Sequence, residues 1–154
     1  MINAIIALGD CMKIIEFEDK YRDDMIYMVL DAKNALGRVP RLNEELLDVR
    51  NNYFDKGHPF WIALDEFDRV IGCIGTREDE SNNLFLSHLY IKYSLKRRGI
   101  GSKLLEYAEN SAKERGYKEV HVHLGKDYLE SHLFYPKHGY IEYKELYMKK
   151  ELNK

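Results

Sequence analysis

The sequence predicts an α/β fold: a single domain in which a mixed β-sheet is flanked by helices. Two observations support this prediction. Segments with strand and helix patterning alternate along the chain, in the order strand, two helices, three strands, helix, strand, helix and one or two closing strands. The length of 154 residues suits one hydrophobic core, and neither a repeat nor a low-complexity linker divides the chain. We expect residues 1–11 to form an N-terminal extension and residues 12–154 to form the domain.

The first half of the chain contains the first strand, the two helices and the three strands. Apolar residues at helical spacing, beginning with Met25 and Val29, predict the first helix, with Gly37 as its C-terminal cap. Two apolar runs separated by the turn sequence DEFD predict a hairpin. The predicted elements are a strand at 12–18, helices at 23–37 and 42–54, a hairpin at 59–76 and a strand at 83–91.

The second half of the chain alternates helices and strands. A glycine-rich turn opens an amphipathic helix, whose apolar face carries Leu104 and Ala108. Pro136 is expected to end the next helix early, because proline disfavours helical geometry in the residue before it. The predicted elements after the turn are the amphipathic helix, a strand at 119–124, a helix at 129–135 and closing strands within 140–152.

Composition and charge exclude several classes of protein. A net charge of -2 argues against a nucleic-acid binder whose affinity comes from overall basicity. The chain has no apolar run near the ~20 residues that span a membrane. Cys11 and Cys73 match neither a disulfide framework nor a metal-binding spacing, which favours a reducing compartment. We therefore predict a cytoplasmic protein that binds neither nucleic acid nor membranes.

Two histidines, His121 and His123, share one face of the predicted strand at 119–124. Histidines two residues apart are able to ligate a metal, but no third ligand with clear spacing accompanies them. A polar strand face, or the lining of an acceptor pocket, is the favoured interpretation. We predict no metal site.

The turn KRRGIGSK, residues 96–103, combines two glycines with four cationic side chains at the start of a helix. Gly99 and Gly101 keep side chains away, so that consecutive amides face one concavity, and the helix N-terminus adds free N–H groups and the positive end of its dipole. A diphosphate fits this description. The motif is neither a P-loop nor a Rossmann fingerprint, since Leu104 stands where the third Rossmann glycine would be. A tight turn with solvated cations is the alternative.

Three motifs, in the correct order and spacing, resemble those of one family. Leu89-Tyr90-Ile91 followed by KRRGIG is similar to a strand ending in LYV followed by [QR]-x-x-G-x-[GA], with lysine replacing the first residue and keeping the charge. HLFYPKHGYIE, residues 132–142, resembles A-x-x-F-Y-x-K-x-G-F, and FWIALDEFDRVIGCIG, residues 60–75, resembles the middle hairpin. From Met12 onward, the chain resembles the GNAT superfamily of N-acetyltransferases.

The resemblance implies a splayed central sheet, with acetyl-CoA in the V between the strands at 83–91 and 119–124. It implies that the diphosphate of acetyl-CoA binds the glycine turn, while the pantetheine arm pairs with strand backbone. The implied activity is transfer of the acetyl group to a primary amine by direct attack on the thioester. The implied donor-binding residues are Leu89, Tyr90, Ile91, Lys96, Arg97, Arg98, Gly99, Ile100, Gly101, Ser102 and Lys103.

Acetyl transfer requires a neutral amine, stabilisation of the carbonyl oxygen and a proton for the leaving thiolate. The resemblance places Tyr135 at the position of the general acid, and a phenol with a pKa of about 10 is similar to a thiol in basicity. A core tyrosine is the alternative interpretation. A strand distorted near Leu89 is expected to aim a backbone N–H at the carbonyl oxygen.

The general base is not identified by the resemblance. Phe85 stands six residues before Ile91, where some family members carry a glutamate. His88 lies on the same strand and is a candidate base, because imidazole titrates near neutral pH. A water chain, or an amine that arrives neutral, is the alternative.

Two other classes of function remain open. Phe85 and Pro136 depart from the family pattern and favour a non-catalytic acyl-CoA-binding sensor of the same fold. Arg97 and Arg98 favour a protein or nucleic-acid interaction module, against which the net charge of -2 argues. The sequence identifies neither the acceptor amine nor the oligomeric state, for which monomer and homodimer are both compatible with the pattern.

Overall fold

One mixed sheet of seven strands organises the structure, a computed structural model that describes residues 12–152. The strands are β1 Lys13–Glu16, β2 Phe60–Leu64, β3 Val70–Glu78, β4 Leu84–Ile91, β5 Glu119–His123, β6 Ile141–Lys144 and β7 Tyr147–Glu151. Their order across the sheet is β1-β2-β3-β4-β5-β7-β6, and every neighbouring pair is antiparallel except β4 and β5. The predicted extension, residues 1–11, lies outside the described residues, as does Cys11.

Helices cover both faces of this sheet. The α-helices are α1 Arg22–Ala35, α2 Val49–Asn52, α3 Ile100–Glu114 and α4 Leu129–Lys137, and short 3-10 turns occur at Asp19–Tyr21, Glu44–Asp48, Phe54–Lys56 and Tyr93–Leu95. Within residues 12–152, no helix combines the length and the apolar character needed to cross a membrane. The predicted order of elements and the mixed α/β fold class are confirmed.

The first predicted helix is confirmed as α1. Met25, Val29 and Ala32 lie on its buried face, as the helical spacing predicts. Gly37 has φ +82, the left-handed conformation that glycine adopts readily after a helix end.

The second predicted helix, at residues 42–54, is wrong as a single helix. The segment contains a 3-10 turn at Glu44–Asp48, then the single turn of α2, and the start of a further 3-10 turn. The Asp48 carboxylate accepts a hydrogen bond from the backbone N–H of Asn51 at 3.0 Å, and so caps a new helix start inside the segment. This capping interaction divides the segment into separate helical turns, although the sequence pattern predicts one continuous helix.

The expected early end of the helix before Pro136 is also wrong, because α4 continues to Lys137. Proline removes one N–H donor and disturbs the helix around it, but only Lys137 follows Pro136 within α4, so little of the helix lies beyond the disturbance. The carbonyl of Tyr135 accepts hydrogen bonds from the backbone N–H groups of His138 at 2.9 Å and Tyr140 at 3.2 Å, which closes the last turn.

Apolar layers cover both faces of the sheet, and their burial is the main source of stability. Leu104 and Leu105 of α3 pack on one face, whereas Met25 of α1 packs on the other. A Cβ atom at Gly72 of β3 would lie 2.8 Å from Leu104 Cδ1, so glycine at this position permits the close approach of α3. Cys73 is buried, as predicted.

The sheet opens between β4 and β5. The two strands pair in parallel only at Phe85 with His121 and at Leu86 with Val122, although β4 continues to Ile91. Beyond these two pairs β4 has no partner on its β5 side in the described sheet. The half of β4 that lacks a β5 partner borders the site described next.

Candidate active site

A cleft of about 750 Å³ lies where the end of β4, the start of α3 and the helix α4 meet. Tyr135 of α4 lines it. Most of the predicted donor-binding residues line it as well, namely Leu89, Tyr90, Ile91, Lys96, Arg97, Gly99, Ile100, Gly101 and Ser102. Arg98 and Lys103 do not line the cleft, and neither does His88. The structure therefore gathers most of the predicted set around one cavity.

The glycine turn presents the N-terminus of α3 to this cleft. Arg97 has φ +67 and Gly99, the residue that precedes α3, has φ +84. Left-handed residues followed by a helical turn direct successive N–H groups to one side, which creates an anion-binding concavity. A Cβ atom at Gly101 would lie 3.4 Å from Phe134 Cε1, so the wall of the cleft is close to the backbone there.

Two further residues line the cleft and were not predicted from the sequence: Lys137, the last residue of α4, and His138, which follows it. Lys137 joins Lys96 and Arg97 in a cationic rim of the cleft. His138 Nδ1 lies 2.8 Å from the carbonyl oxygen of Phe134, which can only accept, so Nδ1 carries a proton. His138 Nε2 lies 2.8 Å from Ser102 Oγ, which ties α4 to the first turn of α3. The cation after FYP in the motif was the signal that could have identified Lys137.

Tyr135 is 4% exposed, and its ring packs edge-on against Phe134 and Tyr140. Burial, reinforced by the nearby Glu109 carboxylate, raises the pKa of Tyr135 above its ordinary value. Among residues 12–152 no side-chain oxygen or nitrogen is both buried and unpaired, and no hydrogen bond joins the Tyr135 hydroxyl to the protein. Tyr135 is also one of the residues that line the cleft.

β4 carries a bulge at the edge of the cleft. Gly75 of β3 pairs with Ser87, and Cys73 pairs with Tyr90. Two residues of β4, His88 and Leu89, therefore lie opposite the single residue of β3 between Cys73 and Gly75. His88 has φ +55, a left-handed conformation that is unusual for histidine. The expected distortion near Leu89 is present, and it releases the local backbone from the regular ladder.

His88 points toward the α1 side of the sheet. Its Nε2 atom lies 2.8 Å from Glu45 Oε1, and its Nδ1 atom lies 3.3 Å from Asn43 Nδ2. Both ring nitrogens thus have protein partners, and a carboxylate from the segment between α1 and α2 stands beside the bulge. Neither periodicity nor a motif in the sequence identifies Glu45.

Phe85 brings an apolar side chain to the strand position where a glutamate is implied for some family members, and it stacks on His121 with ring centroids 5.2 Å apart. His121 also contacts the Tyr143 hydroxyl at 2.8 Å, whereas the ring of His123 stacks on Tyr147 at 4.4 Å. These contacts agree with a polar sheet face. In the described part of the chain, no group of three or more histidine, cysteine or acidic residues is arranged to hold a metal.

Comparison with known proteins agrees with this geometry. The family model described as the acetyltransferase (GNAT) family matches residues 18–140. The chain belongs to the GNAT family. The match includes the bulged strand, the glycine turn, α4 and Tyr135, so all residues that line the cleft lie within the matched range.

Individual GNAT relatives share the fold at low sequence identity. The GNAT acetyltransferase from Staphylococcus aureus Mu50 superposes with a TM-score of 0.83 at 20% identity, covering 92% of this chain and 99% of that one. A phosphinothricin acetyltransferase of Sinorhizobium meliloti, solved in complex with acetyl-CoA, has a TM-score of 0.74 at 16% identity, covering 92% and 89%.

A curated relative is similar over a shorter segment. The probable N-acetyltransferase camello of Xenopus laevis is 35% identical over 81 residues, which cover 50% of this chain and 36% of the Xenopus protein. The matched segment therefore spans well under half of the length of that relative.

Proposed function

We propose that this protein is an N-acetyltransferase that uses acetyl-CoA to acetylate a primary amine. The observation that carries the proposal is the cleft itself. The N-terminus of α3, a cationic rim and the end of β4 that has no β5 partner face this one cavity. Membership of the GNAT family supports it, as does the structural similarity to an enzyme solved with acetyl-CoA. A cytoplasmic location and a monomeric or homodimeric state stay predictions.

The turn and its surroundings fit the diphosphate of a CoA ester. Lys96, Arg97 and Lys137 supply positive charge, and the first N–H groups of α3 supply hydrogen-bond donors without intrahelical acceptors. Arg98 and Lys103 lie outside the cleft lining, so we assign them to long-range attraction rather than direct contact. The backbone of Leu89 and Ile91, free of β5, is available to pair with a pantetheine arm.

The residues at the centre of the cleft suit acetyl transfer. Acetyl-CoA supplies an activated thioester, and the reaction converts an ammonium and the thioester into an amide, a free thiol and one proton. The bulge at His88 and Leu89 supplies backbone N–H groups for the carbonyl oxygen as it gains negative charge. Tyr135, which lines the cleft, donates its proton toward the departing sulfur.

A non-catalytic acyl-CoA sensor is the second candidate, and Phe85 is the observation that favours it. The side chain stacks on His121 and brings no carboxylate to the strand position where some family members carry one. The sensor and the enzyme share the donor site but differ in thiol release.

Thiol release from acetyl-CoA in the presence of primary amines tests the proposal. We expect CoA to bind in calorimetry and the thiol to appear in proportion to an acetylated amine identified by mass spectrometry. CoA binding with no transfer to any amine would favour the sensor. Absence of CoA binding by folded protein would refute both candidates.

A further inference from the structure

We propose that Glu45 binds the ammonium group of a cationic acceptor, and that His88 and Tyr53 are positioning residues that hold its carboxylate. The inference rests on the proposed function and adds the class of acceptor: an amine that enters the site as a cation. A chain of hydrogen bonds that begins at a buried residue supports it. At each bond, the chemistry of the two groups decides which one donates and which one accepts.

The chain of hydrogen bonds begins at Lys33, a residue of α1 that is 4% exposed. Its Nζ atom, which can only donate, lies 2.9 Å from Asn43 Oδ1 and 2.6 Å from the carbonyl oxygen of Arg41. The amide oxygen of Asn43 must therefore face Lys33. Its Nδ2 group, which can only donate, is left to face His88 Nδ1 at 3.3 Å.

This arrangement selects one tautomer of His88. Because Nδ1 accepts from Asn43, the ring proton of neutral His88 lies on Nε2. Nε2 then donates to Glu45 Oε1 at 2.8 Å. A buried lysine thus controls, through two side chains, the direction of the hydrogen bond that reaches the carboxylate.

Two donors converge on a single oxygen of Glu45. Oε1 accepts from His88 and also from the hydroxyl of Tyr53, which is buried beneath it, at 2.9 Å. Oε2 has no hydrogen-bond donor within residues 12–152, and the Glu45 side chain is 56% exposed. One oxygen is therefore anchored while the other is presented to solvent, which suits an ammonium donor.

The charge of Glu45 is consistent with this role. Burial opposes ionisation, but hydrogen bonds from His88 and Tyr53 outweigh it and hold the pKa of Glu45 below its ordinary value. The positive charge of Arg77, whose guanidinium sits over the ring of Phe85, adds to the lowering of this pKa. An alkyl amine with a pKa of about 10.4 is a cation at neutral pH and is attracted to such a group.

Glu45 does not line the cleft itself but is linked through His88 to the strand that borders it. His88, to which it is bonded, forms the bulge of β4, and the next residue, Leu89, lines the cleft. An amine on Glu45 is separated from the bulge by one imidazole. Phe85 supplies no carboxylate to the site. Glu45, in the segment between α1 and α2, supplies one instead.

Two acceptors that differ in charge test the proposal on the full chain. We would measure kcat and KM for agmatine, a cation at neutral pH, and for p-anisidine, an arylamine that is neutral there. Glu45→Gln should lower kcat/KM for agmatine about tenfold or more, mainly through KM, because a charge-assisted hydrogen bond is lost. The value for p-anisidine should stay within about twofold, and the adjacent Glu44→Gln should leave both amines unaffected.

His88 variants separate a positioning role from a purely structural one. His88→Leu removes the donor to Oε1 and should raise KM for agmatine several-fold, whereas His88→Gln retains an N–H donor and should restore it. Equal KM values for the two variants would contradict the positioning role of His88.

Donor binding keeps failure of this proposal distinct from failure of the proposed function. CoA should bind wild type and Glu45→Gln with the same affinity in calorimetry. If CoA binds and Glu45→Gln leaves agmatine kinetics unchanged, the role of Glu45 is refuted while the enzyme assignment stands. If wild type turns over neither amine, we would measure agmatine binding to the CoA complex instead of kinetics. Absence of agmatine binding, or equal binding by wild type and Glu45→Gln, would refute the role of Glu45.

Discussion

Tyr135 illustrates at the residue scale how burial alters a side chain's chemistry. An exposed phenol resembles a thiol in basicity, but burial raises the pKa of Tyr135, and the Glu109 carboxylate adds to the effect. The similarity assumed from the sequence is therefore lost. The phenol stays protonated across the working range of pH, but the raised pKa makes it a weaker proton donor toward the thiolate. Its own ionisation should leave no limb in the pH–rate profile.

Tyr135→Phe is the direct test of this role. Turnover should fall by about 10²–10⁴-fold, because general acid catalysis typically contributes that much, while CoA affinity stays nearly constant. The measurement is kcat, donor affinity and melting temperature on the same variant. A fall of less than about fivefold, with chemistry shown to be rate-limiting, would exclude Tyr135 as the acid.

Tyr140→Phe is the matched control for this substitution. The Tyr140 hydroxyl donates to Glu109 Oε2 at 2.7 Å and belongs to the core. Its removal leaves a carboxylate oxygen with one donor fewer, so we expect lower stability and little change in turnover. Similar losses of turnover in both variants would point to packing rather than to proton donation.

At the element scale, the N-terminal ends of α3 and α1 have different roles. α3 offers its N-terminus to the cleft through a turn that needs left-handed residues at Arg97 and Gly99. α1 is held to the sheet by Asp24, which accepts from Arg69 Nη2 at 2.8 Å and from the backbone N–H of Val70 at 2.8 Å. The first arrangement serves binding, and the second serves stability.

Gly101→Glu tests the binding role of the α3 N-terminus. A carboxylate at this position adds bulk beside Phe134 and negative charge where a diphosphate is proposed, so CoA affinity should fall at least about tenfold. Gly101→Ala isolates the effect of bulk, and Asn110→Glu places the same charge on the exposed face of the helix. Unchanged CoA affinity of a folded Gly101→Glu variant, by calorimetry and circular dichroism, would contradict the site.

Asp24→Asn tests the link between α1 and β3 through its pH dependence. Hydrogen bonding from Arg69 lowers the pKa of Asp24, although burial opposes the shift. A lowered folded-state pKa adds stability above the unfolded pKa of about 3.9, and that stability is lost as pH falls through the folded value.

Urea unfolding at several pH values measures this difference. At neutral pH, Asp24→Asn should reduce the free energy of unfolding by about 1–3 kcal/mol, and below about pH 4 the difference should shrink. Asp23→Asn is the control, since the neighbouring Asp23 side chain is 87% exposed and should matter by less than about 0.5 kcal/mol. A difference that persists unchanged in acid would contradict the assignment.

At the scale of the whole molecule, the opening between β4 and β5 leaves part of the sheet unpaired. The two strands share only two residue pairs, so the fold presents free strand backbone beside the cleft instead of a closed sheet. A ligand that pairs with that backbone and binds the turn would bridge β4, α3 and α4. Ligand binding should therefore stabilise the entire domain.

CoA should raise the unfolding free energy of the wild type by about 2.7 kcal/mol at a hundredfold excess over its Kd, as mass action requires. Gly101→Glu should show little of this gain. A short DNA duplex at matched salt should produce no shift, because the net charge of -2 disfavours phosphate backbones. Stabilisation by DNA but not by CoA would favour the nucleic-acid interpretation of Arg97 and Arg98.

The sequence by itself determined the order of the elements, the turn of Gly99 and Gly101, and the burial of one face of α1 and α3. These features depend on local spacing and on the conformational freedom of glycine, which are visible in a short window of sequence. Local reasoning failed at Asp48 and Pro136, where a cap and the position of a proline near a helix end decide the geometry.

Only the tertiary structure decided the chemistry around His88. Glu45 and His88 are 43 residues apart in the chain and meet across the packing of the α1–α2 segment on β4. The direction of their hydrogen bond depends on Asn43 and on Lys33, a lysine that the sequence presents as an ordinary helix residue. No periodicity encodes such a chain of contacts, because hydrogen-bond polarity is set by which groups the fold brings within about 3 Å of each other.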